Sequence, residues 1–229
     1  MGKKKVKIFI FCAGLNKRLE SEKPKCLLSL NGETILDRQI RFFYSKDFRD
    51  ITIVVAELYP QMMEAIINHI QSRYPDIKFL KLNFQKRGCE KTWTLMNYLS
   101  LFENSFIFLG DVVFNSKAFN QIINISKRFK DGIKFIGRGW EIYALIIRDT
   151  KKLINLSNPF TFTFYEPINR MGKRETVSWE NAHLFKLYYW LLGKGGKRQF
   201  TPTAFIEDVD TLRKYKYVRK VVERDYIGD

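Results

Sequence analysis

Short apolar runs and amphipathic segments alternate along the first 130 residues of the chain. The apolar runs cover residues 6–12, 51–56, 77–82 and 105–109 and are rich in β-branched and aromatic side chains. Runs of this length and composition are typical of buried strands. Because polar residues rarely interrupt them, we expect these strands to be covered on both faces, as in a parallel sheet.

The segments between these runs predict helices, because their apolar residues recur at spacings of three and four. Thr34 is placed to cap the first helix, and Pro60 is placed to open the second. Apolar positions between residues 95 and 102 and between residues 119 and 129 predict two more helices. This alternation of strand and helix predicts right-handed crossovers and an α/β fold.

The rest of the chain is more mixed, but it contains no internal repeat and no low-complexity linker. Strands are predicted near residues 133–136, 141–147, 160–165 and 203–209, and an aromatic-rich helix over residues 179–192. A terminal helix is predicted with an apolar face formed by Leu212, Tyr215, Val218 and Val222. We therefore expect a single domain over residues 1–229.

The composition is that of a globular protein with a large excess of basic residues. Of the 229 residues, 45% are hydrophobic and 28% are charged, and 40 Lys and Arg against 24 Asp and Glu give a net charge of +16. That charge can attract phosphate-rich substrates, bind nucleic acid, or reflect a lysine-rich proteome without a specific role. Because the basic residues are scattered along the chain, nucleic acid is the less favoured partner.

Cysteine and histidine usage limits the chemistry that the chain can support. Cys12, Cys26 and Cys89 have no paired spacing and are interpreted as reduced thiols of a cytoplasmic protein. Two histidines are too few for a histidine-rich zinc centre, so a metal would be held by carboxylates, which favours Mg²⁺. No apolar run approaches the ~20 residues of a membrane span, and the charged residues 16–25 argue against a signal peptide.

A cluster of cations follows the first predicted strand. The strand ends at the small residues Ala13-Gly14, and Lys17, Arg18 and Lys25 come soon after. Small residues allow a ligand to approach the backbone N–H groups, and the cations can neutralise a polyphosphate. An ordinary strand-to-loop turn with solvated basic side chains explains the same pattern.

Two acidic motifs complete the candidate chemistry. Gly110-Asp111 follows a buried strand, and residues 207–211 (Glu-Asp-Val-Asp-Thr) follow a later one, with Asp208 and Asp210 on the same face. Ligands of open parallel sheets bind at the carboxyl ends of the strands. Alternatively, Asp111 is only a turn residue, and Asp210-Thr211 only caps the terminal helix. Together with the cationic turn, the acids favour Mg²⁺-assisted transfer at a triphosphate.

These motifs together resemble the signature of nucleotidyltransferases, which transfer a nucleoside monophosphate onto a phosphorylated small molecule. Residues 13–19 (Ala-Gly-Leu-Asn-Lys-Arg-Leu) and Pro24-Lys25 are similar to the family's Gly-x-Gly-x-Arg-(Met/Leu)…Pro-Lys motif. Residues 109–114 are similar to its Gly-Asp metal motif, and residues 208–211 to its Asp-(Ile/Val)-Asp-Thr motif. The resemblance implies a Rossmann-like, mostly parallel mixed sheet flanked by helices, of the GT-A-like type. Residues 1–130 would bind the nucleotide, and residues 131–229 the acceptor.

The resemblance also implies roles for individual residues. Arg18 and Lys25 would be catalytic, with Arg18 near the leaving pyrophosphate and Lys25 near the α-phosphate. Asp111 and Asp210, with Asp208 beside them, would bind Mg²⁺. The implied nucleotide-binding residues are Ala13, Gly14, Leu15, Asn16, Lys17, Gln85, Gly88, Lys91 and Thr92.

The acceptor half is described less well by its sequence. Candidates for acceptor binding are Arg138, Arg170, Lys173 and Glu180. The three basic residues are equally explained as solvated surface side chains. Glu180 lies in an aromatic-rich segment that is better explained by core packing.

The expected activity is Mg²⁺-dependent transfer of a nucleoside monophosphate, from CTP or UTP by preference, to a phosphorylated sugar or small alcohol. Pyrophosphate is released, as in enzymes of the EC 2.7.7 type. No membrane association is expected, and a homodimer is compatible with the sequence. The motif departs from the family at Asn16, which replaces its second glycine; asparagine tolerates the left-handed backbone, but its side chain can crowd the phosphates.

Two rival functions remain open. A metal-dependent glycosyltransferase shares the sheet and uses an Asp-x-Asp motif such as Asp208-Val-Asp210, but Arg18 and Pro24-Lys25 favour a free triphosphate. A basic nucleic-acid-binding module with an inactive site would explain the charge and Asn16. Its affinity would fall steeply with salt.

Overall fold

The computed structural model describes residues 6–13, 23–83, 99–138, 141–149, 161–166, 173–178 and 200–225. The strands are β1 (Lys7–Phe11), β2 (Ser29–Leu30), β3 (Glu33–Thr34), β4 (Ile51–Ala56), β5 (Lys78–Leu82), β6 (Ser105–Leu109), β7 (Val112–Phe114), β8 (Ile133–Arg138), β9 (Glu141–Ile147), β10 (Thr161–Glu166), β11 (Lys173–Ser178) and β12 (Ile206–Asp208). The helices are α1 (Ile35–Tyr44), α2 (Pro60–Gln71), α3 (Ser116–Arg128) and α4 (Leu212–Asp225). Two 3-10 turns cover Lys25–Leu27 and Leu99–Phe102.

The central sheet has six strands in the order β5-β4-β1-β6-β9-β8. The first four strands are parallel to one another, and β9 and β8 are antiparallel to their neighbours. The predicted α/β class and the mostly parallel mixed sheet are therefore confirmed. The chain adds β4 and β5 on one side of β1 and β6 on the other, so the direction of winding reverses between β1 and β6. Crevices at such reversals are where open α/β sheets bind ligands.

The helices begin where the sequence predicts them to begin. The Thr34 side chain accepts a hydrogen bond from the backbone N–H of Asp37 at 3.0 Å and so caps α1. Pro60 opens α2, and the Asn115 side chain caps α3 through the N–H of Ala118 at 2.9 Å. Each cap satisfies a backbone donor that the first helical turn leaves without a partner.

Aromatic packing fixes α1 and α3 against the sheet. The ring centroids of Phe43 and Phe108 lie 4.9 Å apart in an edge-to-face contact, and Phe114 stacks on Phe119 at 5.5 Å. All five residues of β6 are buried. Because such closely packed rings resist displacement, the ends of β1 and β6 form a rigid base for the loops that follow them.

Several short or irregular elements differ from the sequence prediction. The hairpin of β2 and β3, the strand β7 and the strand β11 were not predicted. The strand expected over residues 203–209 is limited to Ile206–Asp208, and Leu212, expected on the apolar face of α4, is 51% exposed. Strands of two or three residues carry no measurable periodicity, and the six residues of β11 include a single apolar one, Val177, so pairing partners decide whether these strands form.

Two further expectations lie largely beyond the described residues. Of the helix predicted with apolar positions between 95 and 102, only the 3-10 turn Leu99–Phe102 is described, and the helix predicted over residues 179–192 lies outside the described ranges. None of the described helices combines the length and the hydropathy that a bilayer-spanning segment needs.

Candidate active site

The candidate site lies where the carboxyl ends of β1 and β6 meet. The backbone N–H of Gly110 donates to the carbonyl of Phe11 at 2.9 Å and so joins the two strand ends. A Cβ atom added to Gly110 would lie 2.5 Å from Cys12 Sγ and 3.1 Å from the Phe11 carbonyl oxygen. Only glycine fits this contact without displacing its neighbours, so the lack of a side chain at Gly110 allows the two strand ends to meet and Asp111 to lie beside Lys25.

A buried glutamine holds the turn that carries Asp111. Gln39 is 1% exposed, and its Nε2 atom donates to the carbonyls of Leu109 at 2.9 Å and Val112 at 2.7 Å. These carbonyls flank the two-residue turn Gly110-Asp111 on either side. Sequence reasoning missed this residue. The available signal is its position on α1, three residues after Leu36, on the face that otherwise carries apolar side chains.

Lys25 and Asp111, predicted from separate motifs, lie together in the structure. Lys25 opens the 3-10 turn that follows Pro24, and its Nζ atom is 3.7 Å from Asp111 Oδ2. The two side chains are 14% and 17% exposed, so solvent screens their attraction less than it would screen a surface ion pair. This places an ammonium group at the edge of the acidic cluster.

The second acidic motif reaches the same place through the pairing of β7 with β12. Asp208 is in register with Val112, and the N–H of Val209 donates to the carbonyl of Asp111 at 2.8 Å. Thr211 caps α4, because its Oγ1 accepts from the N–H of Lys214 at 3.2 Å. The motif therefore has two roles. Thr211 caps α4, as the helix-cap interpretation of Asp210-Thr211 predicts, while Asp208 and Asp210 contact Lys214 in the acidic cluster.

An ammonium group occupies the centre of the acidic cluster. The Nζ atom of Lys214 lies 2.5 Å from Asp208, 2.6 Å from Glu141, 3.2 Å from Glu207 and 3.5 Å from Asp210. Glu141 begins β9, which runs antiparallel to β6 and so starts at the carboxyl end of β6. The sequence did not point to Lys214 or Glu141, although the i, i+4 spacing of Asp210 and Lys214 is a readable signal.

The crowded charges change the pKa values of the cluster. The pKa of Asp208 is raised to about 6, chiefly by burial. The hydrogen bond from Lys214 lowers this pKa, but the negative charges of the neighbouring carboxylates raise it. Burial alone would lower the pKa of Lys214, but hydrogen bonds to Asp208 and Glu141 outweigh it and raise that pKa. The pKa of Glu141 is lowered, because hydrogen bonds from Lys214 and Tyr143 outweigh its burial. Lys214 therefore stays charged at neutral pH.

The carboxylates of the cluster are the type of donor that a divalent cation needs. Within the described residues, five carboxylates meet two ammonium groups, so negative charge is in excess. Mg²⁺ prefers such oxygen donors at about 2.0–2.1 Å. The carboxylate oxygens of Glu141, Glu207 and Asp208 lie within 4.8 Å of one another, a spacing that also suits a metal, but Lys214 contacts all three.

The remaining predicted site residues are described only in part. Ala13 is buried at the end of β1, and Arg138 is exposed at the end of β8, where it is in register with Glu141. Lys173 is the first residue of β11, where it is in register with Glu166 of β10. The predicted residues outside the described ranges are Gly14, Leu15, Asn16, Lys17, Arg18, Gln85, Gly88, Lys91, Thr92, Arg170 and Glu180.

Comparison with solved structures identifies the fold. The inositol-1-phosphate CTP transferase from T. maritima superposes with a TM-score of 0.65 at 14% identity, over 97% of this chain and 97% of that one. A candidate glucose-1-phosphate thymidylyltransferase from Bacillus anthracis, in complex with a sucrose, gives 0.65 at 13% identity over 95% of each chain. The CTP:phosphocholine cytidylyltransferase from Streptococcus pneumoniae gives 0.58 at 14% identity, over 95% of this chain and 99% of that one.

The similarity is structural. No protein-family model and no curated protein sequence matches the chain. The chain thus has the fold of these nucleotidyltransferases over nearly its whole length, and the resemblance seen in the motifs is confirmed at the level of the fold.

Proposed function

We propose that this protein is a Mg²⁺-dependent nucleotidyltransferase, which transfers a nucleoside monophosphate from a nucleoside triphosphate to a phosphorylated sugar or small alcohol. The observation that carries the proposal is the convergence of three strand ends. Lys25 lies 3.7 Å from Asp111, and the Asp111 carbonyl accepts a hydrogen bond from Val209, between Asp208 and Asp210. One cleft thus combines a cation for an anionic tail with carboxylates for a hard metal ion.

In the proposed reaction, an oxygen of the acceptor phosphate attacks the α-phosphorus of the triphosphate in line. A new P–O bond forms to the acceptor, and the bond to the β-phosphate oxygen breaks with release of pyrophosphate. A phosphate dianion is nucleophilic at neutral pH, so no general base is needed. The contribution of the protein is positioning and charge neutralisation.

Each part of the site has a distinct task in this proposal. Backbone N–H groups near Gly14 bind the phosphates, Arg18 stabilises the leaving pyrophosphate, and Lys25 stabilises charge at the α-phosphate. Asp111 and Asp210 hold the Mg²⁺ ion, with Asp208 beside them. When bound, the ion neutralises charge on the triphosphate oxygens.

The substrate classes are proposed from the resemblance and its structural neighbours. Two of the superposed enzymes are named for CTP, and the three are named for inositol-1-phosphate, glucose-1-phosphate and phosphocholine. These names support a pyrimidine nucleotide, CTP or UTP, and a sugar or small-alcohol phosphate as acceptor. Arg138, Arg170, Lys173 and Glu180 are the candidates for acceptor binding. The three cysteines have no paired spacing in the sequence, which supports a location in the reducing cytoplasm.

A substrate screen tests this function directly. The purified chain is incubated with Mg²⁺, each of the four ribonucleoside triphosphates or dTTP, and a panel of sugar, inositol and choline phosphates, and pyrophosphate release is measured. We expect release that requires both substrates and Mg²⁺. Release of a nucleoside diphosphate from a nucleotide-sugar, with no pyrophosphate in any combination, would instead identify a glycosyltransferase.

A further inference from the structure

Lys214 stands where a positive charge is unfavourable for its own helix. It is the third residue of α4, and no acidic residue lies in the first turn of that helix. The amino-terminal end of a helix carries a partial positive charge, so a lysine there destabilises the helix. The surroundings of the side chain, and not the needs of the helix, therefore explain its placement.

Those surroundings are four carboxylates from separate parts of the chain. Glu141 comes from β9, Glu207 and Asp208 come from β12, and Asp210 comes from the segment between β12 and α4. All four lie within 4.0 Å of Lys214 Nζ, and the two shortest contacts, to Asp208 and Glu141, are 2.5 and 2.6 Å. Without this ammonium group, four like charges would face each other in a cleft with limited access to solvent.

The position of Nζ resembles that of a coordinated ion. An ammonium group has three N–H donors, which fit three acceptors, and the oxygens of Glu141, Glu207 and Asp208 lie within 4.8 Å of one another. The same three residues form the group of carboxylates whose spacing would suit a metal. Lys214 thus occupies the space that a divalent cation would need.

We infer that Lys214 is a built-in cation, which takes the position between Glu141, Glu207 and Asp208 and thereby excludes a second divalent ion from the cluster. Metal binding is then limited to the Asp111 and Asp210 side. Lys214 is a positioning residue, because it acts through the carboxylates that it contacts. The identity of the remaining ion as Mg²⁺ rests on the proposed function, whereas the occupancy by Lys214 rests on the contacts alone.

The test compares the number of Mn²⁺ ions bound to the wild-type chain and to Lys214→Met, measured by electron paramagnetic resonance without nucleotide. We expect the variant to bind one ion more than the wild type. We also expect Mn²⁺ to raise its unfolding temperature more than that of the wild type, because the ion replaces the lost charge. The cluster of Lys214→Met should bind this ion at least about tenfold more tightly than the wild-type cluster does, because the repulsion between the ion and the Lys214 ammonium group is removed.

Lys216→Met is the matched control, since Lys216 is an exposed lysine of the same helix and its replacement removes the same charge. This control should keep the wild-type number of ions. An equal number of ions and equal affinity in Lys214→Met and the wild type would overturn the inference. If Lys214→Met aggregates both with and without Mn²⁺, Lys214→Gln, which removes the charge and keeps all the carboxylates, is titrated instead and judged by the same difference in the number of bound ions.

The two proposals fail in different ways. A wild-type chain that releases no pyrophosphate, while Lys214→Met still gains an ion, refutes the proposed function and leaves Lys214 as a built-in cation. Conversely, an active wild-type chain whose Lys214→Met variant gains no ion supports the enzyme and refutes the role of Lys214.

Discussion

Two clusters of ionic side chains illustrate the difference between a carboxylate that stabilises the fold and carboxylates that form a site. In the first, Asp37 of α1 is 2% exposed, and its Oδ2 atom contacts the Thr34 hydroxyl at 2.8 Å, His69 at 3.0 Å and Arg73 at 3.3 Å. Three side chains thus surround one carboxylate, that of Asp37. In the second, the cluster around Lys214, four acids share one ammonium group.

The comparison teaches that the ratio of donors to acceptors, and not burial alone, distinguishes the two clusters. A buried acid with enough donors gains stability from its hydrogen bonds. Acids in excess repel one another and bind a cation to relieve the repulsion. The predicted consequence is that mutations in the Asp37 cluster change stability, whereas mutations near Asp111 change activity.

The largest expected effect is the loss of activity in Asp111→Asn. Removing one of the carboxylates proposed to hold Mg²⁺ weakens the binding of the ion that neutralises the transition state, so turnover falls by about 10²–10³-fold, while the unfolding temperature changes little. Pyrophosphate release and thermal unfolding are measured on the same preparation. Asp47→Asn is the control, because Asp47 is 91% exposed and lies outside both clusters. Normal turnover in Asp111→Asn would refute the role of this residue and weaken the comparison.

A second, smaller effect is expected from Gly110→Ala. The added methyl group would lie 2.5 Å from Cys12 Sγ, so the turn must shift, which destabilises the protein by about 1–3 kcal/mol and moves Asp111. We expect chemical unfolding to show a lower stability and pyrophosphate release to show a lower activity.

The double variant Gly110→Ala/Cys12→Ala sharpens this result, since it removes the sulfur atom that the methyl group meets. We expect partial recovery, because the Phe11 carbonyl at 3.1 Å remains. Failure of the second substitution to recover either property would show that the contact with Cys12 is not the cause.

The third expected effect reverses the first. In Asp37→Asn, the loss of charge-assisted hydrogen bonds lowers the free energy of unfolding by about 1–3 kcal/mol, while turnover per folded molecule stays near that of the wild type. The matched variant Asp50→Asn removes an exposed ion pair with Lys78, at 2.9 Å, and should lower the free energy of unfolding by less than about 1 kcal/mol. Loss of turnover in Asp37→Asn without loss of stability would contradict the comparison.

The smallest expected effect concerns Tyr74, beside the Asp37 cluster. Burial, and then the negative charges of Asp37 and Glu33, raise the pKa of Tyr74 to about 12 from the ordinary value of 10. Because the folded state holds this proton more tightly, the contribution of Tyr74 to stability is complete below pH 10 and is lost as the pH rises from about 10 to 12. Tyr74→Phe should remove this part of the pH dependence, as measured by chemical unfolding between pH 9 and 12. A tyrosinate absorbance titration checks the pKa itself.

Much of the fold could be predicted because its signals are local. The runs at residues 51–56 and 105–109 contain one polar residue each, and Thr34 is followed by the first turn of a helix. The pairing of β7 with β12 could not be predicted, since each strand has three residues and the partners are far apart in sequence. The division into a nucleotide half and an acceptor half stays a prediction.

The candidate site was predictable in outline and not in detail. Lys25 and Asp111 come after the first and fourth predicted strands, so their convergence could be expected from the topology of a parallel sheet. Asp208 reaches them through the pairing of β12 with β7, which lies outside that sheet. Lys214 could not be distinguished from the other basic residues of its helix, because the acid nearest to it after Asp208 is Glu141, from a different part of the chain. Gln39 was missed because its partners are backbone carbonyls, which no sequence pattern reveals.

The pairing of β7 with β12 also sets the time at which the cleft can form during synthesis. Residues 112–114 and 206–208 are joined across nearly a hundred residues, and closing so long a loop costs entropy that local contacts do not offset. A nascent polypeptide on the ribosome can assemble β1, β4, β5 and β6 while it still lacks Glu207, Asp208 and Asp210, three of the five carboxylates of the candidate site. Under the proposed function, we therefore expect affinity for a divalent ion only once β12 has emerged and docked, so that ion binding would report a late step of folding.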